Sequence, residues 1–336
     1  MSLTAIVILN YNGDKLLRQF LPILIRNSVG ANIVVADNAS SDASLTTLER
    51  EFPTVSVIKL DQNYGYAGGY NRALRQVEAD YFVLLNSDVE VTAGWLDPLT
   101  RLLDSEPSIA AVQPKILSFR DRRMFEHAGA AGGFIDTLGY PFCRGRIFDT
   151  VEKDEGQYDD DRDIFWASGA CFIVRSSVFR SLGGFDEDFF AHMEEIDFCW
   201  KVHRTPQRVH YTARSVVYHV GAGTLPYGSA RKVYLNFRNN LIMLFKHLGW
   251  SELLLRFPVR IVLDWFAVLK FLFSGDGGNA WAVIRAHLAF IGALGSTVHK
   301  RRMMLQMPRY NHGTVKPGSI VFDYYILKKK TFTGLV

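Results

Sequence analysis

Four short apolar runs in the first third of the chain constrain its fold more than any other feature. "TAIVILNYN", "NIVVADNAS", "VSVIKLDQN" and "DYFVLLNSDVEV" are rich in β-branched side chains and show no polar–apolar alternation. Helix-length segments lie between them, over 15–28, 43–51 and 68–78. Continuous apolar strands joined by helices predict a parallel sheet covered on both faces, and hence an α/β domain of the nucleotide-binding kind. In such sheets ligands sit beyond the carboxyl ends of the strands. Each run here ends in polar residues: Asn10 and Asn12, Asp37 and Asn38, Asp61 and Asn63, Asn86 and Asp88. Asn and Asp also favour turns and caps, but four such ends would line one sheet edge together.

The individual ends suggest chemistry. Asp37 precedes Ser40, Ser41 and Asp42, which suit helix capping; a cap does not account for Asp37, whose carboxylate can accept the imide N–H of a uracil or thymine ring. The glycines of "DQNYGYAGGYNRAL" allow close backbone approach, but neither their place nor their spacing is that of a dinucleotide fingerprint, and no phosphate-binding P-loop is present. Asn86, Ser87 and Asp88 form a hard oxygen cluster that suits Mg²⁺ or Mn²⁺ against a diphosphate; the alternative is a strand-terminating turn. Glu90 shares the side-chain parity of Asp88 if the strand continues. His219 ends "VVYH" before Gly-Ala-Gly, as a structural imidazole or as a further ligand of that metal. "FFAHMEEIDFCWK" sets Glu194, Glu195 and Asp197 among Phe189, Phe190, Phe198 and Trp200, where an ionised carboxylate is costly without a partner.

The remainder of the chain bounds these readings. With 336 residues, 48% of them hydrophobic, a large core needs no disulfides. Cys143, Cys171 and Cys199 are odd in number with no CxxC spacing, which points to a reducing compartment. A net charge of +4 does not call for nucleic acid. "MSLTAIVILNYNG" lacks the basic start of a secretory signal. Residues 119–165 read as a mobile, irregular region with short strands; its acidic run "DEGQYDDDRD" reads as solvated and lacks calcium-loop spacing. Residues 127–147 are expected to order on ligand binding. Beyond about 231 the chain turns helical. Two stretches approach membrane-span length, but Arg256, Arg260 and Asp264 recur every four residues as a polar stripe, and Arg285 and His287 interrupt the second. Amphipathic helices in a membrane interface are the expectation, with "HKRRMM" as a basic edge; a helical subdomain packed on the core is the alternative.

Taken in order, "VILNYNG", "VVADNASSD", "NYGYAGGYN", "LLNSDVEV", "WASGACFIVRSSVFRSLGGFDEDFF", "MEEIDFCWK" and "VVYH" resemble the family 2 glycosyltransferases, inverting enzymes of GT-A fold, over roughly residues 4–245. The nearest subgroup contains bacterial rhamnosyltransferase-like enzymes that build cell-surface polysaccharide. The resemblance implies a GT-A domain over 1–245, with 246–336 as a helical extension. It implies that Asp37 contacts the base and that Asn63 and Gly65 border the nucleotide; Asn10, Asn12, Asn38, Asn71, Asn86 and Trp166 join them as donor-side candidates. The metal motif reads Asn86-Ser87-Asp88, with Asn in place of the first acid, leaving Asp88 and His219 as ligands of Mg²⁺ or Mn²⁺. Glu195 takes the place of the catalytic base, where the family more often has Asp; Glu194 supports it and Asp197 orients the helix start. The implied reaction passes a sugar from a UDP- or dTDP-sugar to a glycan or lipid-linked acceptor, on the cytoplasmic face of a bacterial inner membrane, with no nucleic acid partner. Two rivals remain. A nucleotidyltransferase needs a basic phosphate loop after the first strand, where only Lys15 and Arg18 stand. A catalytically degenerate scaffold of a membrane polysaccharide complex draws support from Asn86 and Glu195.

Overall fold

The computed structural model describes residues 2–221, 228–310 and 313–335. Its first half alternates as the apolar runs require: β1 (Thr4–Asn10), α1 (Asp14–Asn27), β2 (Asn32–Asp37), α2 (Ser44–Glu51), β3 (Ser56–Lys59), α3 (Gly65–Leu74) and β4 (Tyr81–Leu85). The four strands pair in parallel in the order β4-β1-β2-β3. Every residue of β4 is buried, because helices cover both faces. α1 shows how: Leu17, Phe20, Leu21 and Leu24 fall on one stripe and all are buried. α3 starts at Gly65, three residues before the expected helix.

The fourth run does not continue as one strand. It breaks after Leu85, and β5 (Val89–Val91) pairs elsewhere. Glu90 therefore does not share a face with Asp88 through a common strand; it pairs with Arg122 at 2.7 Å. The chain then runs through α4 (Leu96–Ser105) and β6 (Ile109–Ser118) into a second sheet of β7 (Gly133–Asp136), β8 (Pro141–Cys143), β9 (Arg146–Ile147) and β10 (Thr150–Val151). β11 (Asp161–Ile164) and β12 (Cys171–Arg175) follow, then α5 (Ser176–Ser181), a 3-10 turn at Glu187–Phe189, α6 (Glu194–Val202) and β13 (Arg208–His219). β12 joins antiparallel to β4 and β6, and β13 lies parallel to β6. The full order β11-β13-β6-β12-β4-β1-β2-β3 brings the ends of β1, β2, β4, β6 and β13 to one edge.

The region expected to be mobile is instead packed. Phe134, Phe142 and Phe332 cluster at 5.1–6.2 Å, and Gly133 has no room for a side chain, since a Cβ would meet the Trp166 ring at 2.1 Å. The acidic run keeps Glu155, Asp159 and Asp160 in solvent, as expected, and also makes ion pairs: Asp154 bonds Lys115, Asp160 bonds Arg144 and Asp163 bonds Arg208 and His210. Residues 127–147 thus belong to a built sheet and not to a loop awaiting ligand. The C-terminal helices are α7 (Ala230–His247), α8 (Trp250–Phe273) and α9 (Gly277–Gln306). After them β14 (Val315–Lys316) pairs with β7, and α10 (Ile320–Tyr325) closes the chain. The helical extension returns to the second sheet through β14 and Phe332.

Candidate active site

Amide and carboxylate side chains knit the ends of β1, β2 and β3 together. Asp37, 1% exposed, accepts from Asn10 Nδ2 at 3.0 Å and from the Ser40 amide at 2.9 Å. Asn12, at φ 52°, accepts the Ser41 amide at 2.7 Å. Asn38 donates to Asn63 Oδ1 and to the Gly65 carbonyl, and accepts the Tyr64 amide. Gly65 is obligatory: its φ is +69° and a Cβ would stand 2.5 Å from the Phe190 carbonyl oxygen. Asp37 therefore supports the loop that follows it as well as facing the strand-end edge. Asn86, half-buried, donates its backbone amide to Ala170 O at 2.9 Å where β4 ends.

Two donor-side candidates have different work. Asn71 spends its amide on the Phe185 backbone, donating to O and accepting from N at 2.9 Å each, so it ties α3 to the segment before α6. Trp166 is 5% exposed and donates Nε1–H to Phe134 O at 2.9 Å. It joins β7 to the segment before β12.

At the other end of the edge, β13 lies beside β5 in the register His219↔Val89, which brings His219 to Asp88 across 131 positions. Both side chains are buried, and His219 Nε2 lies 3.1 Å from Asp88 Oδ1. On the other side of the ring, Nδ1 lies 3.4 Å from Glu126 Oε2. Burial pulls the His219 pKa down, yet Glu126 and Asp88 outweigh it and push it up to about 10. Burial pushes Glu126 up, and His219 holds it below its ordinary value. The sequence reading missed Glu126; an acid beside a His and ahead of a glycine-rich stretch was the available signal. Among the described residues no group of three or more His, Cys, Asp or Glu is arranged as a complete metal cage. Asp88 nevertheless suits a divalent ion that takes its other ligands from a substrate diphosphate, and His219 would join it on giving up its Nε2 proton. The rest of the Gly-Ala-Gly segment after Gly221 lies outside the described residues.

The third group sits at the start of α6. Phe190, His192 and Met193 all have positive φ, at 62°, 69° and 72°, in a region non-glycine residues rarely occupy. The turn at Phe190 is closed by Ala191 N donating to Phe189 O at 2.7 Å. Such strain persists only where surroundings impose it. Here Asn239 of α7, fully buried, donates its side-chain amide to the carbonyls of Phe189, Ala191 and His192 at 2.8–2.9 Å. The Phe190 carbonyl in turn accepts the Tyr66 and Ala67 amides at the start of α3. Asn239 is a second residue the sequence reading missed; its signal was only a polar pair inside an apolar helix.

This strap delivers Glu194 and Glu195. Oε2 of each is buried with no hydrogen-bond partner among the described residues. Burial, and then the Glu195 charge, push Glu194 well above the ordinary range; burial pushes Glu195 up to about 7. A carboxylate with one buried, unpaired oxygen and a pKa raised toward neutrality has the character of a general base. Asp197 is different. Its carboxylate bonds Lys246 at 2.6 Å and His247 at 2.9 Å. Burial would raise it, but Lys246 and His247 hold it well below the usual carboxylate range. Asp197 is thus a structural anion and not part of the reactive pair.

Residues 5–183 match the family model described as glycosyl transferase family 2. N-acetylglucosaminyl-diphospho-decaprenol L-rhamnosyltransferase of Mycobacterium tuberculosis is 26% identical over 273 residues, covering 76% of this chain and 88% of that one. Rhamnosyltransferase WbbL of Escherichia coli is 26% identical over 215 residues, covering 61% and 79%. Among solved structures, GalNAc-T7 with UDP, GalNAc and Mn²⁺ aligns with a TM-score of 0.59 at 16% identity, covering 74% of this chain and about half, 49%, of that one. TarS 1-349 of S. aureus in complex with UDP-GlcNAc aligns at 0.52 and 17% identity, covering 89% and 81%. At these identities the structural neighbours establish the fold, which is GT-A.

Proposed function

Because the chain belongs to glycosyl transferase family 2, we propose that it transfers a sugar from a UDP- or dTDP-sugar to a glycan or lipid-linked acceptor with inversion at the anomeric carbon. The observation that carries the reading is the pair of carboxylates at the start of α6, each with a buried Oε2 that has no hydrogen-bond partner among the described residues, with Glu195 raised to about 7 by burial. In the proposed displacement Glu195 takes the proton of the acceptor hydroxyl. The oxygen forms its bond to the anomeric carbon while the bond to the diphosphate oxygen breaks. The electron pair leaves with the nucleoside diphosphate. Glu194, which burial and the Glu195 charge push well above the ordinary carboxylate range, favours holding its proton while Glu195 is ionised and so limits a second negative charge beside the base. The strand-end network of Asn10, Asn12, Asp37, Asn38, Asn63 and Gly65 holds the nucleotide side of the donor. Asp88 and His219 would hold a Mg²⁺ or Mn²⁺ ion, which when bound supplies Lewis-acid stabilisation of the departing charge.

The relatives named as rhamnosyltransferases, one of them for a decaprenol-linked substrate, support an acceptor held at a membrane and a role in cell-surface polysaccharide synthesis. They disfavour the scaffold reading, as do the two glutamates whose buried Oε2 atoms have no hydrogen-bond partner among the described residues. The test is a panel of nucleotide sugars with Mn²⁺ or Mg²⁺, read by thermal shift and by release of nucleoside diphosphate. One donor should stabilise the fold in a metal-dependent way. Asp88→Ala should abolish the metal dependence of that shift; an unchanged metal titration in the variant would remove Asp88 from the site.

A further inference from the structure

Helix α8 is built inside out. The spacing of Arg256, Arg260 and Asp264 puts them on one helix face without saying what covers it. Arg260 and Asp264 are 3% and 1% exposed and pair with each other at 2.8 Å. The Arg260 guanidinium lies 3.9 Å over the Tyr140 ring and bonds the Asn240 side chain. Asp264 also meets Tyr140 Oη at 3.3 Å and His287 Nε2 at 3.2 Å. The polar stripe therefore plugs α8 onto the second sheet, α7 and α9. The opposite face is apolar and bare: Leu254 is 73% exposed, Leu255 74%, Val262 54%, Phe266 62%, Leu269 45% and Phe273 89%. They run the length of a helix of about 36 Å. Trp281 and Ile291 extend the surface onto α9. A water-facing helix has the opposite polarity, and a continuous apolar patch of this extent marks an interaction surface.

The charges around this face identify its occupant. Lys270 on α8 lies against Tyr325, Nζ to Oη 3.3 Å, so the chain after α10 borders the face. That chain carries Lys328, Lys329 and Lys330, all exposed. Among the acids nearby, Glu252 pairs with Arg256 and Arg309, Asp323 pairs with Lys316 and Asp264 is buried, while Asp276 caps α9. An apolar face with an unbalanced cationic margin suits an anionic bilayer, whose acyl region takes the side chains while its phosphates take the lysines. A second copy of the chain would bring the same excess of positive charge to the contact. α9 is long and apolar enough to cross a membrane, but Lys300 near its end bonds Asp186 and Asp188 of the catalytic half. The helical pair is thereby held along the protein.

We propose that the outer face of α8, with Lys328, Lys329 and Lys330, docks the enzyme onto an anionic phospholipid surface, α8 lying in the interface plane. The proposal deepens the reading of a membrane-held acceptor and rests on it, but vesicle binding is measured without any sugar transfer. The full chain is floated with vesicles of phosphatidylcholine alone and of equal parts phosphatidylcholine and phosphatidylglycerol. The parent should float with the mixed vesicles. The Lys328→Ala, Lys329→Ala, Lys330→Ala triple variant should lose about a hundredfold of that binding. Leu255→Asp with Phe266→Asp should lose it with both vesicle types while melting as the parent does, since both positions are exposed. A parent that ignores both vesicles, or an Asp variant that floats as well as the parent, overturns the proposal. A dimer that the Asp substitutions dissociate, with no vesicle binding, overturns it in favour of a second copy. Vesicle binding by a chain that transfers no sugar upholds the surface and removes the substrate reading instead.

Discussion

Glu194, Glu195 and Asp197 share one turn of helix and the same apolar surroundings, yet partners divide them. Glu195 and Asp197, two positions apart, lie on different faces of α6. Asp197 meets Lys246, which also bonds Asp186 at 2.8 Å, and His247, which burial keeps neutral by pulling it down to about 4. Removing one member of a buried ion pair strands the remaining charge, at a cost of about 3–5 kcal/mol. Asp197→Asn should therefore lower the melting temperature by several degrees at pH 7. Because the folded-state pKa of Asp197 is depressed, its contribution is present above the unfolded value of about 4 and fades as pH falls below it. Melting curves from pH 7 to pH 3 should show the parent and the variant converging. A variant as stable as the parent at pH 7 would show that Lys246 and His247 do not need this anion.

At the scale of elements, the strained strap before α6 matters most. Four of the five residues of "FFAHM" are apolar, so nothing in its composition announces the positive φ of Phe190, His192 and Met193. Its shape is imposed from outside, by Asn239 on one side and the α3 amides on the other. Asn239 is a positioning residue, acting on the base through backbone carbonyls. Asn239→Ala should lower kcat by about one to two orders of magnitude, the scale of a small misplacement, while donor affinity changes little. Equal losses in kcat and donor affinity, or none, would place the strap outside the reaction. The regular elements were far more legible. The apolar runs located β1 to β4 and the intervening helices because burial on both faces leaves no other pattern. The second sheet was legible only as short strands in an irregular region, because those strands are two to four residues long, too short for any periodicity. Asn71 and Trp166 were legible as polar or aromatic groups near the right strands, but their partners, Phe185 and Phe134, are set by tertiary packing. The stripe on α8 was legible in its spacing alone, because periodicity defines a face without saying what covers it.

Over the whole molecule, one sheet edge gathers the strand-end network, the Asp88–His219–Glu126 cluster and the α6 glutamates, while the C-terminal helices brace the strap from behind. Lys246 and Lys300 tie α7 and α9 to Asp186, next to the 3-10 turn that leads into the strap. The central claim is that Glu195 removes the acceptor proton. The direct measurement is the pH dependence of sugar transfer by the parent and by Glu195→Gln, with donor binding followed in parallel. A base must be ionised to work, so parent turnover should rise with pH through about 7, where burial places Glu195. Glu195→Gln should lose about two to four orders of magnitude, show no such rise, and bind donor as the parent does. A Gln variant that turns over within a few-fold of the parent, with the same pH profile, would contradict the account.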